Sequence, residues 1–191
     1  IAPKAGYGNK LPLILPDSET DQYRHNGYLI LANINSVIFD FVARAKVHST
    51  SVNWFIFEQL PFIAPLRFTA VKFGKKCAAE VIKEIVLGLA YTAHDLAPFA
   101  VDIGYVDKSG NAKAPFIWDE ERRVHLRAKL DAIFFHLYGI IGREDIRYIY
   151  STFPIVEREE KKRYGKYLSR ELCLAWMNAL AAGDPDAEIT V

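Results

Sequence analysis

Cysteine is scarce: only Cys77 and Cys173 occur in 191 residues. That is far below the density of a disulfide-stapled secreted scaffold, and no C-x-x-C spacing is present, so reduced, buried thiols in a cytosolic protein are expected. Long apolar runs are missing as well. The best candidate, Leu29 to Val47, is interrupted or ended by Asp40, Arg44 and Lys46, short of the roughly 18 uncharged residues a membrane helix needs. No membrane partner is expected. Charge of one sign is also lacking: the net charge is +1, without the overall basicity usual in nucleic-acid-binding domains, so any DNA contact must come from local patches.

Catalytic and metal-binding motifs are equally sparse. His25, His48, His94, His125 and His136 show no H-E-x-x-H or related spacing, so no metal site is expected. The G-x-S-x-G elbow of a hydrolase does not occur. Gly6-Tyr7-Gly8 runs into Leu11-Pro12-Leu13 instead of a helix N-terminus, which makes it a turn and not a pyrophosphate loop. Glu159-Glu160-Lys161 lacks the partner carboxylate that a Mg²⁺ nuclease requires. The chain opens at Ile1 with neither a methionine nor a signal-peptide layout, an opening expected of a piece cut from a longer polypeptide.

What is present is a well-packed globular composition, 51% hydrophobic, 25% charged and 13% aromatic, which argues against disorder. Leu11 to Leu15, flanked by prolines, is expected as an edge strand after a loop. Leu31, Ile34, Ile38, Phe41 and Val42 form one stripe, predicting a helix over 28–44 with Asn26 and Gly27 before it. After the polar turn at residues 48–51, Val52 to Phe57 is rich in β-branched and aromatic residues and predicts a strand ending at Pro61. Ala78, Val81, Ile82, Ile85, Val86 and Leu89 give the clearest helical periodicity in the chain. A short helix over 92–103 contains or is broken by Pro98, and a loop follows from Gly104 to Phe116.

Asp119 stands at an N-cap before Glu120 and Glu121, with Leu126, Leu130, Ile133 and Leu137 as the buried stripe and Gly139 as the stop. A short helix near 143–151 stops before Pro154, and a last one covers about 169–182. The fold class is mainly α with a small β part (α+β), a strand-bearing N-terminal portion passing to a helical C-terminal portion. The seam falls between Pro65 and Lys76, dividing the chain into 1–70 and 71–191.

Two patches stand out against the near-neutral background. From Glu157 to Arg170, the cations Arg158, Lys161, Lys162, Arg163, Lys166 and Arg170 face only Glu157, Glu159 and Glu160, a net of +3, with Tyr164 and Tyr167 interleaved. Such a segment can neutralise phosphates while its aromatics pack or stack, and it equally fits a solvated helix with ordinary tyrosine packing. The polar loop His48 to Asn53, preceded by Arg44 and Lys46, can present Thr50, Ser51 and Asn53 to base edges or phosphates. The same loop also fits a plain turn.

Gly8-Asn9-Lys10-Leu11-Pro12-Leu13, the run from Leu31 to Arg44 through Asn33-Ile34-Asn35-Ser36, and Asn53-Trp54-Phe55-Ile56-Phe57-Glu58-Gln59-Leu60-Pro61 together resemble the specificity region of Eco57I-like and TaqI-like DNA methyltransferases. Tyr91 to Leu96, Trp118 to Arg123, Phe135 to Gly139 and Thr152 to Val156 resemble the C-terminal tail of the same bacterial restriction-modification proteins. The resemblance implies that 1–70 is the end of a target-recognition domain and 71–191 a helical C-terminal region. It implies a parent enzyme that transfers a methyl group from S-adenosylmethionine to an adenine amino nitrogen in DNA, sometimes fused to an endonuclease. The Asn-Pro-Pro-Tyr-type motif and the cofactor glycines of that enzyme do not occur in this sequence, so no cofactor is expected in the chain, and the resemblance places the catalytic domain upstream of Ile1. His48-Ser49 departs from the glycine pair usual after the Asn-Ser helix.

The function expected is therefore a DNA-recognition clamp. It would position duplex DNA through Arg44, Lys46, Thr50, Ser51, Asn53, Arg158, Lys161, Lys162, Arg163 and Lys166 for a catalytic domain of the same polypeptide. The alternative is a helical spacer that docks recognition and catalytic domains without touching DNA, marked by a surface-facing Trp118 or Trp176. A free-standing enzyme would need convergent ionisable groups that the sequence does not advertise.

Overall fold

A computed structural model describes residues 22–47 and 52–191. Among these the architecture is helical, with one two-stranded antiparallel hairpin. The expected loop and strand over 1–16 lie outside the described residues.

The expected helix over 28–44 is two helices, α1 (Gln22–Ile34) and α2 (Val37–Lys46), bent by 61° between His25–Ile34 and Val37–Lys46. Asn33 and Ser36 make the break. Ser36 Oγ donates to the Asn33 carbonyl at 2.8 Å and accepts from Phe39 N at 3.4 Å, the local side-chain bonding that favours caps over helix interiors. No single helix among the described residues is long and apolar enough to cross a membrane.

The strand expected over Val52 to Phe57 is instead the single helical turn α3 (Trp54–Phe57). Asn53 Oδ1 accepts from Ile56 N at 2.9 Å, and this cap, with no partner strand alongside among the described residues, overrides the β-propensity of the residues. α4 (Pro65–Ala70) follows with proline in its first turn. The strands are β1 (Lys72–Phe73) and β2 (Lys76–Cys77), with Lys72 opposite Cys77 and Phe73 opposite Lys76. The hairpin thus lies after residue 70, in the portion expected to be helical, while the described residues before it, expected to carry a strand, form only helices.

β2 leads directly into α5 (Ala78–Ala90), where the Glu80 carboxylate accepts from Cys77 N at 2.7 Å. A 3-10 turn at His94–Leu96 passes to α6 (Ala97–Asp102), with Pro98 in the first turn, where its missing N–H costs nothing. The spine is α7 (Glu120–Tyr138), roughly 28 Å long. Asp119 caps it by accepting from Arg122 N at 3.0 Å, and Gly139 ends it at φ +79°, the left-handed conformation glycine adopts without strain. Its C-terminal half buries Ala132, Phe134 and Phe135 as well as the expected Ile133 and Leu137, because it is wrapped on more than one side.

α8 (Arg143–Ser151) is as expected, but Pro154 does not merely end it. That proline opens a further helix, α9 (Pro154–Tyr164), before α10 (Leu168–Ala181). α10 packs most extensively on α7, and α5 covers another side. One buried cluster runs from Tyr28 on α1 through Phe68 and Phe73 to Leu180 on α10, across the seam at residue 70.

Candidate nucleic-acid interface

α9 sorts its charges by face. Turning about 100° per residue, it places Glu157, Glu160 and Tyr164 at i, i+3 and i+7 on its partly buried side, while Arg158, Lys161, Lys162 and Arg163 are exposed with Glu159. The Glu160 carboxylate accepts from Ser169 N at 2.8 Å, in the first turn of α10, where an anion is favoured by the helix dipole. Glu157 accepts Lys161 Nζ at 2.7 Å, and that ion pair holds its carboxyl below the ordinary value. Lys161 itself turns back to Glu157, so the outward face carries three cations, Arg158, Lys162 and Arg163, against the one carboxylate of Glu159.

Arg44 comes against the start of this helix. Its guanidinium pairs with both Asp40 oxygens, at 3.0 and 3.1 Å, and lies 4.8 Å from the ring centroid of Phe153, the residue preceding Pro154. Arg44, one member of the first expected patch, therefore stands at the N-terminal end of the helix that carries the second. Lys46 lies about 200° further round α2, on the stripe of Phe39 and away from Arg44, and is exposed. Lys162 and Arg163 carry no ion pair to a described residue, although Arg163 packs 5.1 Å from the Tyr164 ring.

Other expected contacts have different employment. The side-chain oxygen of Asn53 caps α3. Lys166 Nζ donates to the Val191 carbonyl at 2.5 Å. Tyr167 is buried, its hydroxyl donating to the Tyr150 carbonyl at 3.2 Å and its ring edge-on to Tyr150, so it packs and has no surface on which a base could stack. Thr50 and Ser51 lie outside the described residues. The inward turn of Glu157 and Glu160 escaped the sequence reading, although their spacing carried the signal once 154–164 is taken as a helix.

Behind the corner lies a groove of about 650 Å³, lined by Val37, Arg127, Asp131, Tyr150 and Phe153 among others. Asp131 Oδ1 accepts from Val37 N at 2.8 Å and Oδ2 from the Tyr150 hydroxyl at 3.1 Å. Burial pushes this carboxyl up to about 7, against the pull of those two hydrogen bonds. Burial also raises the Tyr150 hydroxyl and the Cys173 thiol well above their ordinary values. The set joins α7, α2 and α8, and it supplies a structural tie more directly than a catalytic group. Among the described residues no three His, Cys, Asp or Glu side chains gather to hold a metal ion. Cys77 and Cys173 are both unpaired thiols.

Comparison of the chain with protein families, with curated proteins and with solved structures finds no match.

Proposed function

We propose that this chain grips double-stranded DNA at the corner between α2 and the outward face of α9, as the recognition and clamp part of an Eco57I-like or TaqI-like adenine methyltransferase. In this reading methyl transfer from S-adenosylmethionine belongs to a catalytic domain elsewhere in the same polypeptide, and the protein works in the bacterial cytoplasm. The observation that carries it is the charge sorting on α9, which gives a chain of net charge +1 a local cationic strip next to Arg44. Phosphate contacts of this kind supply sequence-independent affinity and fix the orientation of the duplex.

Salt-dependent fluorescence anisotropy with a labelled duplex tests it. If Arg44, Arg158, Lys162 and Arg163 each neutralise one phosphate, log K falls with log salt at a slope of about −3.6, a loss of about 150-fold between 50 and 200 mM. Arg158→Glu with Lys162→Glu should weaken binding to every sequence and flatten that slope by about 2. An unchanged slope removes α9 from the interface.

One observation favours the spacer reading. Ile117 and Trp118 are 88% and 59% exposed, and the Trp118 indole is held by the Arg123 guanidinium 3.7 Å from its centroid and by Glu120 at 3.1 Å. Trp176, by contrast, is buried. A fixed, exposed Trp beside Arg has the composition of a binding hot spot. If this face docks the catalytic domain, Trp118→Ala separates the two in a co-purification assay while leaving duplex affinity intact; retained co-purification discards the spacer role.

A further inference from the structure

The groove behind α2 and α9 has walls that the tie at Asp131 does not account for. Leu31 and Ile34 of α1, Val86 and Leu89 of α5, Leu130 of α7 and Val156 of α9 give it an apolar lining. Val86 and Leu130 are buried, whereas Leu31 and Val156 stay 43% and 44% exposed, so the lining is open to solvent. At about 650 Å³ the space suits a small organic molecule, and apolar walls with a few polar groups are the pattern of a ligand pocket.

Charged groups line it too, and all but one are engaged. Arg123, Arg127, Leu130 and Asp131 follow one another at i, i+4, i+7 and i+8 on one stripe of α7. Arg123 donates to the Leu89 carbonyl at 2.7 Å and covers the Trp118 ring, and Asp131 is held by Val37 N and the Tyr150 hydroxyl. Asp40 pairs with Arg44, and Glu160 accepts from Ser169 N. Arg127, between Arg123 and Asp131, is exposed and makes no ion pair or hydrogen bond to a described residue. Its charge reaches both neighbours, drawing the Asp131 carboxyl down against the effect of burial and adding to the lowering of Arg123. The guanidinium lies along the groove with its donors unused.

We infer that this groove binds a small amphipathic anion, an apolar chain or ring bearing one carboxylate, with its body on Leu31, Val86, Leu89 and Leu130 and its carboxylate on Arg127. Parallel N–H donors of a guanidinium match the two oxygens of a carboxylate. A cationic chain of the same length would gain the walls but meet a like charge at Arg127. A short polar anion would gain the guanidinium and leave the walls wet. The inference is independent of the DNA-gripping reading, since it uses none of the cations assigned to the duplex.

Isothermal titration calorimetry of the whole chain with decanoate, with decylammonium and acetate as comparisons, tests it. Decanoate should saturate at one molecule per chain, and neither comparison compound should match it. Arg127→Gln should weaken decanoate about 10- to 150-fold, the range for a hydrogen bond to a charged group, and because Arg127 is exposed the variant should melt as the wild type does. Ala90→Phe, which places a ring in the groove lining and keeps Arg127, should weaken decanoate as well. Equal affinity for decanoate and decylammonium overturns the inference, as do heats that never saturate, which mark detergent-like association. Unchanged decanoate affinity in Arg127→Gln, or in a folded Ala90→Phe protein, also overturns it.

Discussion

Replacing Asn33 by Ala should detach the segment that carries Trp54. Asn33 is buried at the end of α1, its Nδ2 donating to the Tyr138 hydroxyl at 2.8 Å and its Oδ1 accepting from Ile63 N at 3.0 Å. The Tyr138 hydroxyl passes the chain on to the Pro61 carbonyl at 2.7 Å. Alanine removes both side-chain bonds. The half-buried Ile63 N–H then lacks its acceptor, at a cost of about 1–3 kcal/mol, and the lost Tyr138 bond adds about 1 kcal/mol. Alanine's better helix propensity returns roughly 0.5 kcal/mol, so the net loss is about 1.5–3.5 kcal/mol, measured as the change in urea midpoint at constant m.

Because the tie is local, hydrogen exchange should accelerate first at Ile63 and across 52–66, ahead of α7 and α10. Tyr138→Phe breaks the same network from its other end. The double variant should therefore cost less than the two single changes together, by about 1 kcal/mol or more. A folded Asn33→Ala protein within about 0.5 kcal/mol of wild type, with Ile63 exchange unchanged, refutes the idea that this network holds the segment.

Asp131 has a folded value raised to about 7 by burial, above an unfolded value of about 3.9. The native state therefore holds the proton more tightly, and the stability this group contributes is present at low pH and lost as pH rises from about 4 to about 7. Asp131→Asn should flatten the stability–pH curve over that window by an amount on the order of 4 kcal/mol, read from urea melts at several pH values; parallel curves for the two proteins would show that the carboxyl is not so perturbed. Gly74→Ala should lower the melting temperature, because φ is +61° there and a Cβ would run into the Gly183 carbonyl oxygen. The expected cost is above about 1 kcal/mol, and an unchanged melt would mean that the hairpin and the turn at Gly183 do not approach so closely.

Helices whose signals are local were legible in the sequence. The stripe from Ala78 to Val86, the Asp119 cap with its Gly139 stop, and the helix at 143–151 each depend on residues within one or two turns of one another. What failed depended on partners or on punctuation with two meanings. Val52 to Phe57 has strand composition but no strand to pair with among the described residues, and Asn53 folds it into a turn. Pro154 ends one helix and begins the next, since proline is excluded from helix interiors yet favoured at first turns. Missing α9 hid the charge sorting, because the run from Glu157 to Arg170 counts as mixed charge until a helical period separates its two sides. Of the loop candidates, Arg44 proved legible as an exposed cation, but nothing local announced that it would sit against Phe153.

The remaining exposed carboxylate on the outward face of α9 gives the clamp its most sensitive test. Glu159 accepts from Arg158 Nε at 3.2 Å, and both side chains are largely exposed, so the pair contributes little to folding. For a phosphate approaching that strip, however, Glu159 is both a repelling charge and a competitor for Arg158. Screening at physiological salt extends only about 8 Å, which confines the effect to groups this close. Glu159→Gln should therefore tighten duplex binding about 2- to 5-fold at low salt, the equivalent of one exposed ion pair, with the gain fading as salt rises. Glu160→Gln should not do the same, since its carboxylate faces α10 and accepts from Ser169 N. If the two variants change duplex affinity equally, the phosphates do not distinguish the faces of α9, and the strip is a solvated surface.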